Sequence, residues 1–284
     1  MSKTKLSRTF VNLYGIPLVM FILWAGDIRY YIPIYSLFIL LILLVSASEY
    51  SNFITLNKSN PSFMTLKIFI IITQLFRYLD NINILHDVQY MMYIIIFMIL
   101  VLFFIELINS SQASLYNIMF ILFGYIWICM MLGSLSLVRN FQLKNIDIGY
   151  QLTLVLFLSI WCCDTFAYFF GKNFGEKKIM PSISPNKTWI GSIAGLFGSL
   201  IVWLIFYKLN LFSGIMNFNQ IIIISIIIGF FGQLGDFSES LLKRNAKIKD
   251  ASQILKGHGG VLDRFDSLAF AAPIMYIYLK SFIF

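Results

Sequence analysis

Long apolar runs separated by short polar segments dominate the chain, at 10–25, 31–46, 63–79, 88–108, 115–138, 151–171, 189–207, 219–235 and 265–284. Roughly 20 apolar residues carry a helix across a bilayer core, so the pattern predicts an all-α integral membrane protein of about nine transmembrane helices. The first two runs are divided by a very short turn, and the third carries Lys67, Gln74 and Arg77; these are the places where the count stands to lose a helix. Small residues add a packing expectation, because lipid gives helices no hydrophobic reason to associate. Gly191, Gly195 and Ser199 recur at four-residue intervals, and Gly229, Gly232, Gln233 and Asp236 follow one face of the next helix.

Composition strengthens this picture. The 284 residues are 59% hydrophobic and only 12% charged, with a mean hydropathy of +0.83, which leaves no room for a sizeable soluble domain. A net charge of +8 on so little water-facing surface reads as basic loops at a lipid headgroup layer rather than a nucleic-acid partner. Cys129, Cys162 and Cys163 lie inside apolar runs and read as packing residues. Lys3, Lys5 and Arg8 before the first run resemble a signal peptide, yet Trp24-Ala25-Gly26-Asp27 is a poor cleavage site, so the run is expected to be a retained span. Residues 1–150 would supply about five spans and residues 151–284 about four.

Charge also predicts sidedness. Of the 21 lysines and arginines, 14 fall in loops on the N-terminal side (1–9, 47–62, 109–114, 172–188 and 237–264), which places the N-terminus in the cytoplasm. Ten of those 14 sit in loops 172–188 and 237–264, where substrate phosphates are an alternative reason for them. Those two loops are separated by two helices, so they should face one side and can form one site.

The candidate chemistry concentrates there. Asp236, Glu239, Asp250, Asp263 and Asp266 fall around the last of these loops, and the pairs Asp236/Glu239 and Asp263/Asp266 each share a helix face. With Lys243, Arg244, Lys247, Lys249, Lys256 and Arg264 beside them, they fit a site where a divalent metal and cations hold phosphates together. Hard oxygen ligands favour magnesium over zinc. A solvated charged loop with helix-end salt bridges remains the other reading. Between the helix ends, Gly257-His258-Gly259-Gly260 lets the backbone approach a ligand and offers N–H groups to phosphate oxygens. His258 suits a phosphate contact, a proton transfer or a structural hydrogen bond; His86 lies in a loop on the opposite side.

A second cluster runs from Asp164 to Gly175 and on through Ser182, Ser184, Lys187 and Thr188. Asp164 lies about two turns inside the sixth run, where a charge costs about 3 kcal/mol; function is preferred over a buried structural pair, with a metal-bound water, Lys187 or Lys243 as the expected compensating partner. Tyr168 and Gly171 share its face. The serines and threonine precede the seventh helix, a position suited to capping and to holding an anion.

Here the sequence resembles a known family. Ser240-Leu241-Leu242-Lys243-Arg244, then Lys249-Asp250, then His258 to Asp266 is similar to the signature of phosphatidate cytidylyltransferases, the CDP-diacylglycerol synthases, across 240–266. Asp164-x-x-Ala167-Tyr168-x-x-Gly171 and Ser184-Pro185-x-Lys187-Thr188-Trp189 resemble that family's upstream motifs. Lys256 and Ile190 depart from it, the first where proline or glycine is usual, the second where a polar residue is common. The resemblance implies a nine-helix homodimer in the bacterial cytoplasmic membrane with catalytic loops facing the cytoplasm. It implies magnesium on Asp236 and Asp263, with room for a second cation, and catalytic roles for Asp164, Lys249, Asp250, His258 and Asp266. Ser182, Ser184, Lys187, Thr188, Lys243, Arg244, Gly259, Gly260 and Arg264 would bind substrate.

The reaction so implied joins CTP to phosphatidic acid, giving CDP-diacylglycerol and pyrophosphate amid membrane lipids. Positioning and charge neutralisation should dominate such a step. Other CTP-dependent lipid enzymes, a CDP-archaeol synthase or a polyprenol kinase, share these needs. A transporter would instead show polar residues near mid-bilayer in paired halves, whereas here they cluster at one membrane face.

Overall fold

The computed structural model describes residues 15–27, 33–55, 59–82, 84, 89–143, 146–212, 214–255 and 259–283. Among them run nine helices: α1 (Ile16–Ala25), α2 (Ile34–Tyr50), α3 (Phe63–Asn81), α4 (Tyr90–Asn109), α5 (Ser114–Arg139), α6 (Gly149–Phe174), α7 (Trp189–Lys208), α8 (Phe218–Asn245) and α9 (Leu262–Phe282). The protein is an all-α integral membrane protein, and six of these helices (α2, α4, α5, α6, α7 and α8) are long and apolar enough to cross a bilayer. As described, α1 has only 10 residues, and α3 and α9 carry Lys67, Arg77 and Asp80, and Asp263, Arg264 and Asp266. The chain divides into two compact units, residues 1–136 with 245–264, and residues 137–244 with 265–284.

In the first unit, α2 buries Tyr35, Ile39, Ile42, Leu43, Ser46 and Ala47, a three-to-four spacing that turns one stripe inward. Tyr50 stacks on Phe120 with ring centres 4.4 Å apart. Arg77 shows how an apolar core holds a guanidinium: its Nη1 donates to the Cys129 carbonyl at 2.9 Å, within a π-helical stretch of α5, Tyr125–Met131. Thr73 and Tyr125 bond through their hydroxyls at 2.6 Å beside it. A widened π turn presents backbone groups that a regular helix would keep to itself, which is how the buried side chain finds an acceptor.

The second unit is built on close helix crossings. A Cβ on Gly191 would stand 2.6 Å from the Ala167 carbonyl, and one on Gly195 would stand 3.0 Å from Cys163 Sγ, so the small-residue stripe of α7 seats α6 as expected. Ser199 completes the row by donating to the Ser225 carbonyl of α8 at 2.8 Å. Two antiparallel hairpins flank α6: β1 (Gln142–Leu143) with β2 (Ile146–Asp147), and β3 (Lys178–Met180) with β4 (Ser184–Thr188). The second hairpin replaces the plain loop expected over 172–188; its strands are too short and polar to leave an alternating apolar pattern. Gly149 starts α6 against the Arg139 carbonyl, where an added Cβ would lie 1.6 Å from the oxygen. Gly149→Ala is therefore expected to destabilise the protein by about 3 kcal/mol, read as a lowered thermal midpoint in detergent, because backbone must move to admit the methyl.

Candidate active site

The second unit encloses a cavity of about 540 Å³ between the C-terminal half of α6, the β3–β4 hairpin, the start of α7 and α8. Two carboxylates, Asp164 and Asp236, and three lysines, Lys172, Lys178 and Lys187, line it. Asp164 projects from α6 ten residues before its end at Phe174. Lys187, on β4, sets its Nζ 2.6 Å from Asp236 Oδ2 and 4.2 Å from the centre of the Phe237 ring. The ring face favours the cation, and the carboxylate fixes its direction. Ser240 Oγ donates to the other Asp236 oxygen at 3.4 Å, one turn along α8.

Capping shapes the opposite wall. Thr188 Oγ1 accepts the Gly191 N–H at 3.2 Å and caps α7, as the sequence led us to expect. Gly171 and Gly191 line the same cavity, and a Cβ on Gly171 would stand 2.9 Å from Thr188 Oγ1. Without side chains at these points, the positive end of α7 stays open to the cavity, an arrangement suited to an anion. Gln233 spans from α8 to α7: its Nε2 donates to the Ser192 carbonyl at 3.0 Å, and its Oε1 accepts from Ser192 Oγ.

Behind Asp236 lies a charge cluster. Glu239 is fully buried and pairs with Lys243 Nζ at 3.2 Å. Asp266, buried on α9, stands within electrostatic reach of Asp236, Glu239 and Lys243. Thus Lys187 pairs with Asp236, and Lys243 with Glu239. Arg244 Nε donates to the Ile183 carbonyl at 3.3 Å and pins the turn of the β3–β4 hairpin. Ser182 is exposed in that turn, and Ser184 is half-buried on β4.

The first unit contains the remaining expected residues. Lys249, Asp250 and Arg264 are exposed. Asp263, in the first turn of α9, accepts the Gly260 N–H at 2.7 Å and the Ala251 N–H at 3.0 Å. Gly259 has φ +79°, a left-handed value that suits glycine. His258, Lys256, Gly257 and His86 lie outside the described residues.

Sequence reasoning missed three residues. Lys178 was counted only as loop charge and Gln233 only as packing, yet both line the cavity. Glu49, at the end of α2, accepts from Ser252 Oγ at 2.6 Å and from the N–H groups of Val261 and Leu262 at 2.9 and 2.7 Å. The available signal was rarity, since Glu49 is one of only 13 acidic residues and closes an otherwise apolar run.

Fold and cavity together define a helical membrane protein with a chamber whose lining includes both carboxylates and lysines. The chain belongs to the cytidylyltransferase family, whose sequence model matches residues 6–282. It is 48% identical over 131 residues to the phosphatidate cytidylyltransferase of Staphylococcus aureus (strain COL), covering 46% of this chain and 50% of that protein. The protein of that name from Bacillus subtilis (strain 168) is 41% identical over 143 residues, 50% of this chain and 52% of the relative. That from Haemophilus influenzae is 43% identical over 133 residues, 46% of each chain. The matched stretch spans about half the length of these curated relatives.

Proposed function

We propose that this protein is a phosphatidate cytidylyltransferase, joining CTP to phosphatidic acid with release of pyrophosphate. The observation that carries the reading is one cavity lined by Asp164 and Asp236 together with Lys172, Lys178 and Lys187, in a chain whose relatives bear that name. A phosphate oxygen of the lipid attacks the α-phosphorus of CTP; the bond to the β-phosphate breaks, and its electrons leave with pyrophosphate. At neutral pH the phosphomonoester is already largely ionised, so no general base is required. The lysines and the open N-terminus of α7 neutralise and align the phosphates, and Lys187 exchanges its hold on Asp236 for a phosphate oxygen. His258 is assigned a phosphate contact from the signature alone.

Magnesium belongs to the same proposal. Among the described residues, no three His, Cys, Asp or Glu side chains group closely enough to cage an ion. Magnesium needs no such cage, because it is commonly held by one or two carboxylates with substrate phosphates and water. Asp164 and Asp236, with the amide oxygen of Gln233 in the same wall, offer that kind of hard oxygen donor, so the residues fit the ion. Asp263 as a further ligand, and a second cation, rest on the sequence signature. When bound, the ion supplies positive charge to the triphosphate.

We extend the proposal to a homodimer and to a site open on the cytoplasmic side of a bacterial inner membrane, where CTP is available. The test of the reaction is pyrophosphate release by purified protein supplied with CTP, magnesium and one lipid acceptor at a time. Release with phosphatidate should exceed that with ether-linked or prenyl acceptors by at least about tenfold; a preference for either of those would replace this reading with a CDP-archaeol synthase or a polyprenol kinase.

A further inference from the structure

We propose that Glu49 is a positioning residue: it holds the chain at Ser252 and at Val261–Leu262 so that the Asp263 carboxylate keeps one orientation. Glu49 ends α2 with only 2% of its surface exposed. A carboxylate so buried is tolerated only when strong hydrogen bonds replace its lost water, and its three bonds go to Ser252, Val261 and Leu262. Val261 N and Leu262 N stand at the start of α9, where backbone donors have no partner within the helix. Glu49 thus caps α9 from a different helix, and its charge suits the positive end of that helix.

The bonds interleave with those of Asp263. Ala251 N donates to Asp263 while its neighbour Ser252 donates to Glu49. Gly260 N donates to Asp263 while Val261 N and Leu262 N donate to Glu49. Neighbouring groups along the chain are therefore shared between two carboxylates, so a shift of the backbone at either place strains the bonds to both. Asn52, three residues after Glu49, adds a bond from Nδ2 to the Ala251 carbonyl at 2.6 Å. Gly260 makes the approach possible: a Cβ there would lie 2.7 Å from the Glu49 carboxyl carbon and from both its oxygens. The second glycine of the Gly259-Gly260 pair thus has a steric reason for being glycine, namely the Glu49 carboxylate.

The consequence for turnover rests on the function proposed above, in which Asp263 serves catalysis; the hold of Glu49 on the segment does not. Glu49→Gln keeps the side-chain shape but turns an NH₂ group toward backbone donors. Two readings on the same full-length protein test the proposal: hydrogen exchange by mass spectrometry over 251–263, and steady-state kinetics with CTP and phosphatidate. Exchange over 251–263 should quicken by about tenfold while α6 to α8 stay unchanged, as expected for a local rather than a global opening. The value of kcat should fall about 10- to 100-fold, the range for losing a partner that orients a ligand, with KM for CTP moving less than about threefold.

Ser252→Ala, which removes one of the three bonds, should shift both readings in the same direction by less. Gly260→Ala should reproduce the loss, and combining it with Glu49→Gln should cost no more than the worse single change, because both break one contact. Unchanged exchange over 251–263, losses that multiply in the double variant, or normal kcat with fast exchange would each overturn the proposal. Wild-type protein without CTP-dependent turnover would end the proposed function instead, and the exchange reading alone would then decide whether Glu49 holds the segment.

Discussion

Asp236→Asn should lower turnover by about a thousandfold or more while leaving the protein nearly as stable as wild type. The two effects separate because Asp236 has a weak structural duty and a central chemical one. Its structural duty is the ion pair with Lys187, whose side chains are 33% and 29% exposed. A pair that open to solvent contributes at most about 1 kcal/mol. Its chemical duty in the proposed mechanism is to bring anionic charge to the cavity wall where magnesium and the triphosphate meet, and asparagine keeps the shape without the charge. The check is thermal unfolding and specific activity on one preparation, with magnesium limiting. A variant that unfolds normally and retains a near-normal rate under those conditions would remove Asp236 from the metal site.

Asp164→Asn should likewise cut kcat by at least about a hundredfold, with little change in stability. Asp164 is exposed to the cavity, and a substitution at such a position away from the packed core usually moves stability by less than about 0.5 kcal/mol. A carboxylate inside a membrane helix is expensive, and the cavity supplies the polar surroundings that make it tolerable. Were Asp164 a structural residue, the asparagine variant would melt early yet work normally per folded molecule. Thermal midpoint and specific activity therefore move in opposite ways under the two accounts, and an unstable, fully active variant would end the functional one.

Periodicity made the helices legible, because bilayer thickness imposes a length that few other structures share. Each of the nine apolar runs contains a described helix, and the stripe Gly191, Gly195 and Ser199 does pack against neighbours. The bounds were less legible where charge begins. The eighth helix continues through Asp236 and Lys243 to Asn245, since a helix that leaves the apolar zone keeps its backbone bonds while its side chains turn polar. The third and ninth runs also form helices, yet their charged residues make them poorer spans by composition, and Arg77 is kept inside by the Cys129 carbonyl rather than by an acidic partner near in sequence.

The candidate site was legible as residue types and illegible as pairings. Asp164, Lys187, Thr188 and Asp236 were all singled out, and all line one cavity. Which lysine meets which acid depends on the β3–β4 hairpin, whose five-residue strand carries Lys187 and has no apolar alternation to announce it. Gln233 hid among packing residues because an amide on a glycine-lined face is as useful for holding helices together as for lining a cavity. Glu49 was hidden by distance: its partners lie more than 200 positions further along the chain, and nothing local to α2 points to them.

The central claim is the transfer of CMP to a lipid phosphate, and the phosphorus that ends on the lipid tests it most directly. Purified protein with phosphatidate and magnesium is given CTP labelled either at the α- or at the γ-phosphorus, and the lipid is extracted. The account predicts label in the lipid from α-labelled CTP alone, in equal amount to the pyrophosphate released. Label arriving from the γ-position would mark a kinase and contradict it, as would lipid that stays unlabelled while CTP is consumed.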